Sequence, residues 1–297
     1  MIVVESFADV RAASSGRVGL APTMGYLHDG HLSLFRAARA ECDTVVASIF
    51  VNPLQFGPSD DLGRYPRDLD RDAALAEEEG VDVLFVPSIE EMYPEPPRIE
   101  MRIADLTTHF EGAHRPGHFE GVAIVVAKLL AGCQPGRAFF GRKDAQQLSV
   151  VRRMVADLSF PVEIIPVPTV RESDGLALSS RNTFLSDEDR MAALTLSRGL
   201  FAAADAAEGG ERDGAVLEAL VAGQIKSADG ARLEYASLAD AATVQPLARL
   251  TTDSFLAVAA RVGETRLIDN VAFSVGDDSV TVDRGVTLEG PSVLEGS

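Results

Sequence analysis

"RVGLAPTMGYLHDGHLSLFRAARAECDTVVASIF", residues 17–50, is the stretch that decides the fold. RVGLAPT (17–23) reads as a strand, DGHLSLFRAARAEC (29–42) as a helix and DTVVASIF (43–50) as an apolar second strand. The same alternation continues downstream. LDRDAALAEEEG (69–80) reads as a helix ending on Gly80, VDVLFVP (81–87) as a strand and HFEGVAIVVAKLLAGC (118–133) as a largely buried helix. RAFFG (137–141), DAQQLSVVRRMVADL (144–158) and VEIIPVPT (162–169) then read as strand, helix and last strand. Continuous apolar strands alternating with helices predict an α/β domain, a parallel sheet covered on both faces. In such sheets ligands bind beyond the carboxyl ends of the strands.

After SSRNTFLSDEDR (179–190) the texture changes. Ser186 with Asp189 three residues on has the form of a helix N-cap, and Ala-rich helices are expected over 187–207 and 211–226. Three alternating β runs follow at 231–240, 253–262 and 264–273. Helices followed by antiparallel strands predict a smaller α+β domain, with a boundary near residue 180. The expected division is 1–180, 181–273, and a Gly- and Asp-rich tail over 274–297, whose weak β pattern (DSVTV) gives no firm structure.

Composition narrows the function. The 297 residues are 46% hydrophobic and 24% charged, with a formal net charge of −18. Such a surface repels nucleic-acid phosphates and anionic lipid, so neither partner is expected. Cys42 and Cys133 lie in apolar segments without CxxC spacing and read as reduced thiols. The start, MIVVESFADVR, lacks the form of a signal peptide, and no long apolar run suits a membrane span, so a cytoplasmic location is expected.

The unusual polar residues fall just after the strands. GYLHDGH (25–31) brings Gly25, His28, Gly30 and His31 to the opening of a helix, where unpaired N–H groups and the helix dipole favour phosphate. Histidines three apart share a helix face and can address one ligand. A metal site is the weaker reading: zinc usually wants a third ligand, and the familiar helical pair is four apart with an intervening Glu, whereas here the spacing is three and a glycine intervenes. Asn52 and Gln55 follow the second strand as neutral hydrogen-bonding amides, or NP is simply a turn. The stretch 48–72 reads as containing a long loop with the character of a lid. Arg115 and His118 either clamp an anion or belong to a solvated loop. Lys143, Asp144 and Gln147 sit at a further strand–turn–helix junction, and Ser179, Ser180 and Arg181 offer hydroxyls beside a guanidinium. No GxSxG elbow surrounds either serine, so a serine nucleophile is not expected.

PTMGYLHDGHLSL, FVNPLQF, YPRDLDRD, RPGHFEGVA, FGRKDAQQL and PTVRESDGLALSSRN, in this order over residues 22–182, resemble the successive motifs of the pantoate–β-alanine ligase family. RLIDN (266–270) resembles its C-terminal strand, and His28-x-Gly-His31 resembles the signature of the wider nucleotidylyltransferase superfamily. The resemblance implies a Rossmann-like domain with a smaller C-terminal domain closing over the site. It implies two steps: pantoate carboxylate attacks the α-phosphorus of ATP, then the amine of β-alanine attacks the acyl adenylate. No enzyme nucleophile is needed for this chemistry.

Carried over residue by residue, Met24, Gly25, Tyr26, Leu27, His28, Asp29, Gly30 and His31 resemble the ATP-binding turn. Gly141, Arg142, Lys143, Asp144, Val170, Leu178, Ser179, Ser180 and Arg181 match the remaining ATP contacts. His31, His28 and Lys143 take the catalytic roles, His31 either donating a proton or stabilising charge. Gln55 and Gln147, with Asn52 and Arg115, are expected to hold pantoate and β-alanine. Mg²⁺ is implied as the counter-ion of ATP, with Asp72 as a candidate ligand, and a homodimer is implied. Two features depart from the family: Arg142 stands where the family usually has glutamate, and the segment 274–297 is longer than usual. A nucleotidylyltransferase with another acceptor would not need both glutamines, and a silent nucleotide-binding regulator would not need both histidines, Lys143 and the SSR triplet.

Overall fold

Short runs rich in Val, Leu, Ile and Phe pair into one parallel sheet in the computed structural model, which describes residues 1–57, 62–277 and 279–294. In chain order the elements of this first unit are β1 (Ile2–Val4), α1 (Phe7–Ala13), β2 (Val18–Thr23), α2 (Asp29–Glu41) and β3 (Thr44–Ile49). Then come α3 (Leu69–Glu78), β4 (Val83–Phe85), α4 (Ile89–Met92), α5 (Phe110–His114) and α6 (His118–Cys133). Then come β5 (Arg137–Gly141), α7 (Ala145–Asp157), which belongs to this unit only from Val150 onward, and β6 (Glu163–Val167), which ends it. The strand order is β1-β4-β3-β2-β5-β6, and every pairing is parallel. Strand order reverses at β2, between β3 and β5, which opens a crevice at the carboxyl ends of β2 and β5. Leu20, Val45, Val46, Leu84, Phe85 and Phe139 are completely buried in this sheet. β1 and α1 escape sequence reading because a three-residue strand is too short to show a period.

The second unit consists of Arg142–Ser149 and the chain from Pro168 onward. It contains β7 (Val170–Arg171), α8 (Asp187–Glu208), α9 (Gly214–Lys226), β8 (Ala231–Asp240), β9 (Ser254–Val262), β10 (Thr265–Val275), β11 (Val280–Asp283) and β12 (Val286–Thr287). The Ser186 hydroxyl accepts the Asp189 N–H at 3.1 Å, so α8 starts at the expected cap. Leu200, Leu217, Val221, Leu256, Val258 and Val271 form a fully buried core between the two helices and an antiparallel sheet of order β11-β10-β9-β8.

Two features differ from the sequence reading. The expected boundary near 180 falls inside the second unit, which begins at Pro168 and also takes Arg142–Ser149. Long-range bonds decide this: Asn270 Nδ2 donates to the carbonyls of Arg142 and Lys143 at 3.0 and 2.7 Å. Described residues after 273 form two strands. β11 pairs with β10, and β12 pairs in parallel with β7, partners that lie far away in sequence and leave no local signature.

Candidate active site

The turn after β2 is an unusual piece of backbone. Gly25 and Tyr26 are both left-handed, with φ of 82° and 51°, and for tyrosine this conformation is strained. A buried carboxylate holds it: Asp72 of α3 accepts the N–H groups of Tyr26 and Leu27, each at 2.7 Å. Arg71 donates to the Leu27 carbonyl at 2.9 Å and lies over the Tyr26 ring. Burial pushes the Asp72 carboxyl above the usual carboxylate range, and the two N–H bonds and Arg71 oppose that rise. Each Asp72 oxygen thus accepts one N–H of the turn, which makes Asp72 a positioning residue. Its part was hidden because its partners lie far away in the chain, at sequence separations of 46 and 45.

His28 caps α2. Its Nδ1 accepts the Gly30 N–H at 3.1 Å, while Nδ1 of His31 accepts the His28 N–H at 3.3 Å, a reciprocal capping box built from imidazoles. The rings lie 4.1 Å apart between centroids. A Cβ at position 30 would lie 2.8 Å from His28 Cε1, so glycine there makes room for the imidazole itself. With Nδ1 used as an acceptor, each neutral ring carries its proton on Nε2 and is a donor from that atom. Adding a proton to Nδ1 would break the cap.

Asn52 is buried and saturated by protein. Its Oδ1 accepts the Leu54 N–H at 3.2 Å and the Tyr93 hydroxyl at 2.9 Å. Its Nδ2 donates to the Gly121 carbonyl and to Gln55 Oε1, both at 3.1 Å. The two backbone partners alone fix which way this amide points, and it in turn fixes Gln55. Gln55 therefore presents its Nε2 side outward, where one contact is Met24 Sδ at 3.1 Å. Asn52, expected to hold substrate, is here bonded to Gln55 and so orients it. Arg115 and His118 converge on the Gln55 backbone carbonyl, at 3.4 and 2.8 Å. Gly121 is a further requirement that the sequence did not reveal, since a Cβ there would lie 2.2 Å from the Leu54 carbonyl oxygen. Within the expected lid, residues 58–61 lie outside the described residues, and from Leu69 the chain is α3.

In the second unit Lys143, Ser179 and Arg181 line one cleft with Asn182, Arg266 and Asp269. Lys143 and Arg181 form no ion pair with the described residues, and the Gln147 side chain makes no hydrogen bond with them. Unpaired cations in a chain of net charge −18 mark this cleft as a place for an anion. The turn carrying Ser179–Arg181 is held from behind: Asn182 Nδ2 donates to buried Glu172 at 2.6 Å, and Arg190 pairs with the same carboxylate. The Val170 carbonyl accepts the Leu178 N–H at 2.9 Å, and Leu178 is buried. Arg142, matched by resemblance to an ATP contact, pairs through its side chain with Asp283 at 3.2 Å. Arg171, Asp269 and Asn270, hidden within larger motifs, are the support of the Lys143 turn. The Arg171–Asp269 pair is completely buried and bidentate, at 2.7 and 3.0 Å.

Among the described residues no three His, Cys, Asp or Glu side chains cluster so as to hold a metal ion. No helix among them is long and apolar enough to cross a membrane. Cys42 and Cys133 are free thiols, and burial pushes Cys133 up to about 12.

Comparison with known proteins bears on this geometry. The family model described as pantoate-beta-alanine ligase matches residues 2–272. Pantothenate synthetase of Moorella thermoacetica is 51% identical over 283 residues, covering 93% of this chain and all of that protein. The crystal structure of pantothenate synthetase from Thermus thermophilus superposes with a TM-score of 0.86 at 51% identity, covering 91% of this chain and 98% of that one. That of pantoate-beta-alanine ligase from Francisella tularensis, complexed with beta-gamma ATP and beta-alanine, gives 0.73 at 34% identity, covering 91% and 97%.

Proposed function

The chain belongs to the pantoate–β-alanine ligase family, and on that premise we propose that it condenses (R)-pantoate with β-alanine to pantothenate at the expense of ATP. In the first step a pantoate carboxylate oxygen bonds to the α-phosphorus, the bond to the bridging oxygen breaks, and pyrophosphate leaves. In the second the β-alanine amine attacks the acyl carbon of pantoyl adenylate, loses a proton, and AMP departs. Adenylation supplies the leaving group, so the protein's work is positioning and charge stabilisation.

The observation that carries this reading is the cleft in which Lys143 and Arg181, unpaired with any described carboxylate, stand beside Ser179. These residues suit the phosphates of ATP, with Lys143 as a point charge and Arg181 as a planar fork. His28 and His31 suit the transferring phosphate as Nε2–H donors, His31 either donating a proton or stabilising charge. Gln55, presenting N–H, suits an oxygen of pantoate, and Gln147, whose amide has no described partner, suits a second one. Mg²⁺ enters as the counter-ion of ATP. A cytoplasmic homodimer is the expected state of the enzyme.

The test is pyrophosphate and AMP release with ATP, Mg²⁺, pantoate and β-alanine, each omitted in turn. Pyrophosphate release is expected to require pantoate but not β-alanine, and AMP release to require all. AMP formation indifferent to pantoate would overturn the proposal.

A further inference from the structure

The two departures from the family, Arg142 and the long C-terminal segment, meet in the structure. Arg142 Nη1 lies 3.2 Å from Asp283 Oδ2 at the end of β11, beyond the residues that match the family. The Arg142 Nε is buried without a hydrogen-bond partner, so this ion pair is the guanidinium's described anchor. The next residues continue the attachment. The Arg284 carbonyl oxygen accepts from the buried Arg171 Nε, and the Arg284 side chain pairs with Asp205 and Glu208 of α8 at 2.6 and 2.8 Å. Val286 N–H bonds the Thr169 carbonyl and Leu288 N–H the Arg171 carbonyl, at 2.8 and 2.9 Å, laying β12 along β7.

These contacts converge on the turn that carries Lys143. Arg171 pairs with Asp269, the Asp269 carboxylate accepts the Asn270 N–H at 2.7 Å, and Asn270 Nδ2 holds the carbonyls of Arg142 and Lys143. The C-terminal segment therefore reaches the turn twice, through the Arg142 side chain and through the buried Arg171. It also flanks Val170 directly, since Val286 is its partner in register.

We propose that the segment Asp283–Leu288 is a brace for the nucleotide-binding turn, with Asp283 a positioning residue that acts through Arg142 on Lys143. The inference rests on reading Lys143 and Val170 as ATP contacts. Its expected signature is selective: ATP binding weakens when the brace is cut, while pantoate binding and the fold do not change.

Asp283→Asn isolates the charge. Asp283 Oδ1 accepts the Gly285 N–H at 2.8 Å, and asparagine keeps that bond while losing the charged oxygen that faces Arg142. The pair is partly exposed, so the change is modest: KM and Kd for ATP are expected to rise about three- to fivefold, with kcat and pantoate KM within about twofold. Arg142→Gln is expected to do the same, the double variant to be no worse than either single one, and Arg142→Lys to stay near wild type. Unchanged ATP binding in Asp283→Asn, effects that multiply in the double variant, or a parallel rise in pantoate KM would each overturn the brace. ATP affinity measured by equilibrium titration separates this inference from the functional reading. A wild-type chain that binds ATP but shows no pantoate-dependent pyrophosphate release refutes the ligase assignment, and the variants' ATP affinities still decide the brace.

Discussion

Asn52 in the first unit uses both protons and both lone pairs of its amide on protein partners, whereas Lys143 in the second offers an ammonium that no described carboxylate meets. The contrast runs through both units. Around the His28–His31 turn, Asp72 is spent on two N–H groups, the imidazoles cap their own helix, and Arg115 and His118 hold a carbonyl. Polar atoms there fix one another, so the donors that remain have one orientation. Around Lys143, Gln147 and Arg181 the side chains are unspent and only the backbone beneath them is fixed, by Asn270 and Asn182. Preorganised donors suit charge that develops during reaction, while unpaired cations suit charge that the ligand already carries. Side-chain changes should therefore separate stability from activity in the second unit and couple them in the first.

The largest effect is expected for Lys143→Met. Pyrophosphate formation should fall by about 10²–10³-fold, the cost typical of losing one preorganised charge-stabilising donor. Because the ammonium has no described protein partner, the melting temperature should stay within about 2 °C of wild type. A large loss of stability with near-normal turnover would reverse the contrast.

His31 sharpens it. His31→Ala removes both the imidazole and the acceptor for the His28 N–H, so it should lose adenylation and about 0.5–2 kcal/mol of stability. Glutamine is an ordinary capping-box residue, so His31→Gln should recover the stability but not the activity. Thermal melts beside single-turnover pyrophosphate release distinguish the two parts. Recovery of activity by glutamine would show that the cap, not the ring, is what matters.

The smallest effect on chemistry and the clearest on folding is expected for Asp72→Asn. An amide accepts on one atom only, leaving the Tyr26 or Leu27 N–H unpaired in a buried place, at a cost of about 1–3 kcal/mol. The variant also reports on pH. Because burial raises the folded carboxyl above its unfolded value, its contribution is fully present below about pH 4 and is lost as pH rises through the raised value. Asparagine does not titrate, so the stability margin of wild type over the variant should narrow with rising pH. Denaturant unfolding from about pH 3.5 upward, at about half-unit steps, measures this. A widening margin would show that the N–H bonds outweigh burial.

Much of the first unit was legible because its signals are local. The α6 span 118–133 and the β5 span 137–141 match their sequence reading, since an apolar period or run exposes such elements directly. The HDGH, KD and SSR motifs were legible too, because each joins a strand end to a helix or turn within a few residues. The protein partners of Asn52 and Arg115 were not, since an amide or guanidinium serves substrate or scaffold equally well. Asp72 lies in a charged helical run like its neighbours, and only its burial turns it inward toward Tyr26 and Leu27.

Sequence by itself determined the α/β alternation, the polar residues at the strand ends and the chemistry those residues can perform, all carried by spacing along the chain. Tertiary structure alone decided which way Gln55 points, what Asp72 and Asn270 hold, and that Arg142 and the C-terminal segment are one feature. The reason is physical: periodicity and capping are encoded over a few residues, whereas a hydrogen-bond partner is chosen by whatever the fold brings within about 3 Å.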